Sequence, residues 1–175
     1  MAKKVAVLAV NPVNGSGLFQ YLEAFFENDI QYTTFAVAET TQISANSGIR
    51  LQTDDVVANL KGNESEYDAL VFACGDAMPK FGENAGQSFN RDMMEVIKNF
   101  AGQGKILAGH CVAAFLFDSL GISNGKKVAV HPFVKPALKE SIGTDERAVV
   151  EGNIYTAQNE NAIPELLPFL IKALK

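Results

Sequence analysis

Lys105-Ile106-Leu107-Ala108-Gly109-His110-Cys111-Val112-Ala113-Ala114-Phe115-Leu116-Phe117 is the stretch on which the reading of this chain turns. The apolar run from Lys105 to Gly109 reads as a strand. Cys111 follows two residues after Gly109, and a helical pattern rich in small residues starts at once. This is the G-x-nucleophile-x-small order of a nucleophile elbow, with cysteine as the nucleophile. So sharp a strand-to-helix turn needs small neighbours, because the backbone passes close to itself. The turn lifts the Cys111 side chain out of the sheet. It also sets the sulfur at a helix N-terminus, whose dipole favours the thiolate.

Outward from the elbow, strands and helices alternate. Lys4 to Val10 is a continuous apolar run, the pattern of a parallel strand buried on both faces. The turn Asn11-Pro12-Val13-Asn14-Gly15-Ser16-Gly17 leads into a helix whose stripe is Leu18, Leu22, Phe25 and Phe26, with Phe19 beside it. Gln31 to Val37 reads as a second strand. Ile43 to Asp54, turning at Asn46-Ser47-Gly48, reads as a hairpin. Asp54 or Asp55 is expected to cap a short helix through Leu60. Ala69 to Cys74 is a further strand, and Ala77 to Ser88 a loop able to reach over a site. Met93, Ile97, Phe100 and Ala101 mark a helix that stops at Gly102 or Gly104. Beyond the elbow helix come a short strand at Val128 to Val130 and a hairpin, Ala148 to Glu151 with Ile154 to Ala157. The last helix carries Ile163, Leu166, Leu167, Leu170, Ile171 and Leu174, and Pro168 is expected to kink it or to sit near its first turn.

This alternation predicts an α/β fold, a three-layer flavodoxin-like sandwich on a mostly parallel central sheet, as one domain over residues 1–175. In such sheets ligands bind outside the carboxyl ends of the strands. Three such ends carry polar or reactive residues: the turn after Val10, Cys74-Gly75-Asp76 and Gly109-His110-Cys111.

Of 175 residues, 47% are hydrophobic, enough for a sizeable core. The net charge of −5 argues against a general nucleic-acid binder. No apolar run approaches the roughly 18–20 residues of a membrane span. Two cysteines make no disulfide framework, so free thiols in a reducing cytoplasm are expected. The sequence holds no metal-ligand cluster.

The elbow AGHCVAAFLF, the strand end FACGD, the VAVHP segment and the closing GNIYTAQNENA share their order and spacing with the ThiJ/PfpI superfamily, which the chain resembles over nearly its whole length. That group includes PfpI-type peptidases and the parkinsonism-associated deglycase, and it has a class I glutamine amidotransferase-like fold. The resemblance implies a homodimer. It also implies that Cys111 is the family's elbow cysteine and that the Gly75 and Val112 N–H groups form an oxyanion hole. His131 then falls where several members carry a His-Pro close to the cysteine, suited to acid/base work. His110 precedes the cysteine, whereas the peptidase branch has its histidine after it, where Val112 stands here. Three departures bear on activity, one of them Cys74-Gly75-Asp76 in place of the family's Pro-Gly-Gly after the third strand. The acid usually found at the end of the first strand is missing from Asn11 to Gly17, so a carboxyl near Cys111 has to come from Asp76 or Glu83. Gln158-Asn159 stands in place of the family's Arg-Gly or similar pair. The resulting expectation is a cysteine-dependent hydrolase, protease I-like, or a deglycase-type enzyme on small substrates, requiring no cofactor. The alternative is a non-enzymatic redox sensor or small-ligand binder.

Two further features leave readings open. Cys74 reads first as a core residue. Alternatively its sulfur approaches Cys111 and resolves a sulfenic acid there to a disulfide. Asn14-Gly15-Ser16-Gly17 reads first as a plain turn into a helix. Its N–H groups also suit the phosphate of a flavin or a related ligand.

Overall fold

The computed structural model describes residues 2–75, 78 and 81–175. Its centre is a seven-stranded sheet. The strands are β1 (Lys4–Val10), β2 (Gln31–Val37), β5 (Asp55–Val56), β6 (Ala69–Ala73), β7 (Ile106–His110), β10 (Ala148–Glu151) and β11 (Ile154–Ala157), in the spatial order β10-β11-β7-β6-β1-β2-β5. Every pairing is parallel except the terminal hairpin β10–β11. The helices are α1 (Gly15–Glu27), α2 (Val57–Leu60), α3 (Ser88–Gly102), α4 (Ala113–Ser119) and α5 (Ile163–Leu174). The α/β fold with a mostly parallel sheet is therefore as the sequence predicts. Strands β1 and β6 are buried almost throughout, which is why they read as unbroken apolar runs. From β1 the chain moves outward to β2, then returns to the other side of β1 for β6 and β7. The carboxyl ends of β1 and β6 thus border the crevice where such sheets take ligands.

Two small sheets lie outside the large one: the predicted hairpin β3 (Gln42–Ser44) with β4 (Arg50–Gln52), and the parallel pair β8 (Lys127–Ala129) with β9 (Ile142–Thr144). Strand β8, expected one residue later, is tied to the main sheet by the Ala129 N–H, which donates to Thr156 Oγ1 at 2.8 Å.

Several local expectations need correction. On α1 the buried face is Leu18, Tyr21 and Phe25, whereas Phe26 is 74% exposed. Each helical step turns about 100°, so Phe26 lies off the stripe that Tyr21 completes. Neither Asp54 nor Asp55 caps α2, whose N-cap is Val56 without a side-chain bond. Asp54 instead accepts from the Thr34 N–H and hydroxyl, clipping the segment to β2. Pro168 lies inside α5. No helix among the described residues is long and apolar enough to cross a membrane.

One buried carboxylate fixes the segment between β8 and β9. Asp118, on α4, accepts from the backbone N–H groups of Lys139, Glu140 and Ser141 at 2.7–3.0 Å. Burial pushes its pKa up, but these bonds outweigh burial and hold it below the usual Asp value. Its contribution is therefore complete above the unfolded-state pKa of about 3.9 and fades as pH falls through that value toward the lower folded one. Asp118→Ala should cost about 2–4 kcal/mol at pH 7 by urea denaturation. The gap from wild type should close only below about pH 4.

Candidate active site

The sheet order brings the three marked strand ends side by side, with β6 between β1 and β7. Cys111 leaves the end of β7 at φ 58°, one of two non-glycine residues among those described with positive φ. A β-carbon costs about 1–3 kcal/mol in such conformations, a strain typical of functional turns. The Cys111 N–H donates to the Ala157 carbonyl at 3.1 Å, and Val112 then opens α4. Cys111 is partly exposed, while Cys74 is buried, and both are free thiols.

The Cys74 thiol and the Cys111 thiol, at the ends of the paired strands β6 and β7, act on each other. That mutual effect is the largest influence on both pKa values. It lowers Cys111 below the ordinary thiol range, against the opposing effect of burial. It raises Cys74 well above that range, and burial adds to the rise. The Val112 backbone N–H, at the start of α4, also favours the thiolate. The neighbouring thiol is thus an influence that sequence spacing did not reveal, acting beside the N-terminus of the two-turn helix α4.

Glu160 is the carboxylate whose charge reaches Cys111, and it opposes thiolate formation. Sequence reading looked instead to Asp76, which lies outside the described residues, and to Glu83, which is exposed. The overlooked signal is topological. Glu160 follows β11, which runs parallel to β7, so its carboxyl end faces the same way as the elbow. The Glu160 carbonyl accepts from Gln20 Nε2 at 3.0 Å, which anchors this segment to α1.

Gly75 lies where the sequence places the oxyanion-hole glycine. A β-carbon there would sit 2.3 Å from the Pro12 carbonyl oxygen and 2.6 Å from the Asn14 nitrogen. The Asn14 N–H donates to the Cys74 carbonyl at 2.9 Å, which locks the β1 turn onto the end of β6.

The two histidines part company. The His131 N–H meets the Cys111 carbonyl at 3.5 Å, but its ring stacks on Phe133 and its Nδ1 accepts from the Phe133 N–H. The ring is thus near the elbow without a bond to its sulfur. His110 points the other way, into the protein, and is 1% exposed. Its Nδ1 lies 3.3 Å from the Tyr21 hydroxyl. Burial raises the Tyr21 pKa, so the phenol stays protonated beside the imidazole, while His110 Nε2 has no partner. Burial also pushes His110 down to about 4.

His110 explains one glycine of the Asn14-Gly15-Ser16-Gly17 turn. A β-carbon at Gly17 would come within 2.5 Å of His110 Nε2. The Gly17 N–H donates to the Asn14 side chain, which caps α1.

A cavity of about 450 Å³ opens beside Val112, walled by Met78, Phe81, Met94, Phe115 and Phe133. A second, of about 320 Å³, borders the ends of β1 and β2 and reaches Asn11, Glu39 and Asn90. Met78 and Phe81 line both.

Comparison with known proteins agrees with this architecture. The DJ-1/PfpI family profile matches residues 3–173. Protein ppBat of Bacteroides thetaiotaomicron is 62% identical over 175 residues, all of both chains. A crystal structure from the same organism, described as "putative protease I", superposes with a TM-score of 0.98 at 61% identity, over 99% of this chain and 100% of that one. Drosophila melanogaster DJ-1beta shares the fold, with a TM-score of 0.85 at 17% identity, over 99% of this chain and 91% of its own.

Two predictions follow from the geometry. Iodoacetamide alkylation of Cys111, followed by peptide mass spectrometry, should show a midpoint below the free-thiol value of about 8.5. Cys74→Ala should raise that midpoint by removing the thiol that lowers it, and Glu160→Gln should lower it by removing an opposing charge. The second concerns stability. Between the ordinary His pKa of about 6.5 and the folded value of about 4, the unfolded chain binds a proton that buried His110 refuses. Stability should therefore fall as pH drops through this window, and His110→Gln should lack that slope in urea melts at stepped pH.

Proposed function

Because the chain belongs to the DJ-1/PfpI family, we propose that it is an enzyme with the Cys111 thiolate as its nucleophile, acting on a small carbonyl or amide compound that bears an apolar arm. The observation that carries this reading is the state of Cys111: strained at the elbow, partly open to solvent, and held below the ordinary thiol range by Cys74 and the Val112 N–H. A thiolate is the reactive form of cysteine, and a strained, over-determined backbone is commonly kept where it positions chemistry. The apolar cavity supports the substrate class, since its hydrophobic walls include Val112, the residue that follows the nucleophile in the chain.

In the proposed reaction Cys111 Sγ attacks the carbonyl carbon and the π pair moves onto oxygen. As the new S–C bond uses up the thiolate charge, the Val112 N–H turns from sulfur to the oxyanion, joined by the Gly75 N–H. With an amide, the tetrahedral species expels the amine, which takes a proton, and the thioester left behind is hydrolysed by water to return the thiol. Glu160, already in electrostatic reach of the sulfur, is our first choice for carrying that proton. His131 is the second, and its ring would have to leave Phe133 to act.

Purified protein screened against α-dicarbonyls, small amides and short peptides tests this reading. Cys111→Ala should lower any turnover found by at least about 100-fold, with an unchanged thermal melt. Turnover that survives this substitution would sink the proposal.

A further inference from the structure

The two cysteines are placed as a pair by strand register. The ladder between β6 and β7 sets Phe72 opposite Gly109. Cys74 and Cys111 therefore each stand two residues beyond the same rung. Neighbouring strands lie about 4.7–4.9 Å apart, inside the Cα separation of roughly 4.4–6.8 Å that a disulfide spans. Each thiol is the largest influence on the other's ionisation. Access is unequal: Cys74 is 4% exposed and Cys111 partly exposed. A small oxidant meets Cys111 first and finds Cys74 directly behind it.

We propose that Cys74 and Cys111 form a two-cysteine redox site for hydroperoxides, in which Cys111 is oxidised and Cys74 resolves it. The Cys111 thiolate attacks the terminal oxygen of the hydroperoxide. The O–O bond breaks, the alcohol or water leaves with a proton, and Cys111 becomes a sulfenic acid. The Cys74 sulfur then attacks the Cys111 sulfur, the S–O bond breaks, and the hydroxyl leaves as water with the Cys74 proton. The two thiols have lost two electrons to the peroxide. A small thiol or dithiol supplies them again by exchange, regenerating both cysteines and taking the disulfide onto itself. Resolution also intercepts the sulfenic acid before a second peroxide converts it to sulfinate, which thiols do not reverse. The unequal pKa values agree with these roles, since the lowered thiol is the exposed one. The inference shares the reactive Cys111 thiol with the proposed function and none of its carbonyl chemistry.

The test treats fully reduced protein with one equivalent of hydrogen peroxide, blocks remaining thiols with iodoacetamide and reads intact and peptide masses. In the wild type both cysteines should refuse the label, the chain should lose two hydrogens, and a Cys74–Cys111 linked peptide should appear and vanish with dithiothreitol. Cys74→Ala should instead gain one oxygen on Cys111, and a second equivalent of peroxide should carry it to sulfinate. Cys74→Ser, closer in volume, replaces it if the alanine variant does not fold. Oxygen gain on Cys111 in the wild type, with Cys74 still taking label, would overturn the redox pair and leave the nucleophile reading standing. Failure of reduced Cys111 to alkylate or to react with peroxide at neutral pH would overturn both.

Discussion

No side chain fits where Gly75 meets the backbone of Pro12 and Asn14. That close approach, closed by the hydrogen bond from Asn14 to the Cys74 carbonyl, holds the ends of β1 and β6 together. The arrangement of the site depends on it. It fixes where β6 stops, hence where Cys74 sits relative to the neighbouring β7, and so what the elbow cysteine finds beside its sulfur. A β-carbon at Gly75 would meet main chain rather than a flexible side chain, so relief would have to come from separating the strand ends.

From that constraint follows an electrostatic asymmetry. Two identical thiols act on each other and share one backbone donor, yet they sit at different depths. The deeper one, where a charge is dearest, keeps its proton, and the shallower one takes on anionic character. Glu160 works against this from the end of β11. The thiol is therefore tuned by a balance: one neutral neighbour and one N–H favour the anion, while burial and a carboxylate oppose it.

The two histidines show how adjacency in sequence and adjacency in space diverge. His110 is next to the nucleophile in the chain, but consecutive residues of a strand face opposite sides of the sheet. It ends up beneath α1 as a neutral, buried partner of Tyr21, and it accounts for the glycine at position 17. His131 is twenty residues away and comes back to the elbow through the β8 region, although its ring packs on Phe133. Neither placement is visible in composition or spacing, because both depend on which way a side chain leaves its strand.

What the sequence determined alone was the order and kind of the main elements. Buried parallel strands must read as continuous apolar runs, and Lys4–Val10 and Ala69–Ala73 carry that signature within their own residues. The elbow was legible for the same reason, since small residues around Cys111 are a local steric requirement. Tertiary structure alone decided which residues surround the sulfur. Cys74, Glu160 and the Val112 N–H arrive from separate segments, and their meeting is set by strand order and register. Periodicity reports whether a face is buried and says nothing of its neighbour. Tyr21 and Phe26 mark the same boundary: both are aromatic and both lie near the α1 stripe, and only the packing of that helix against the sheet and α5 sent one inward and left the other in solvent.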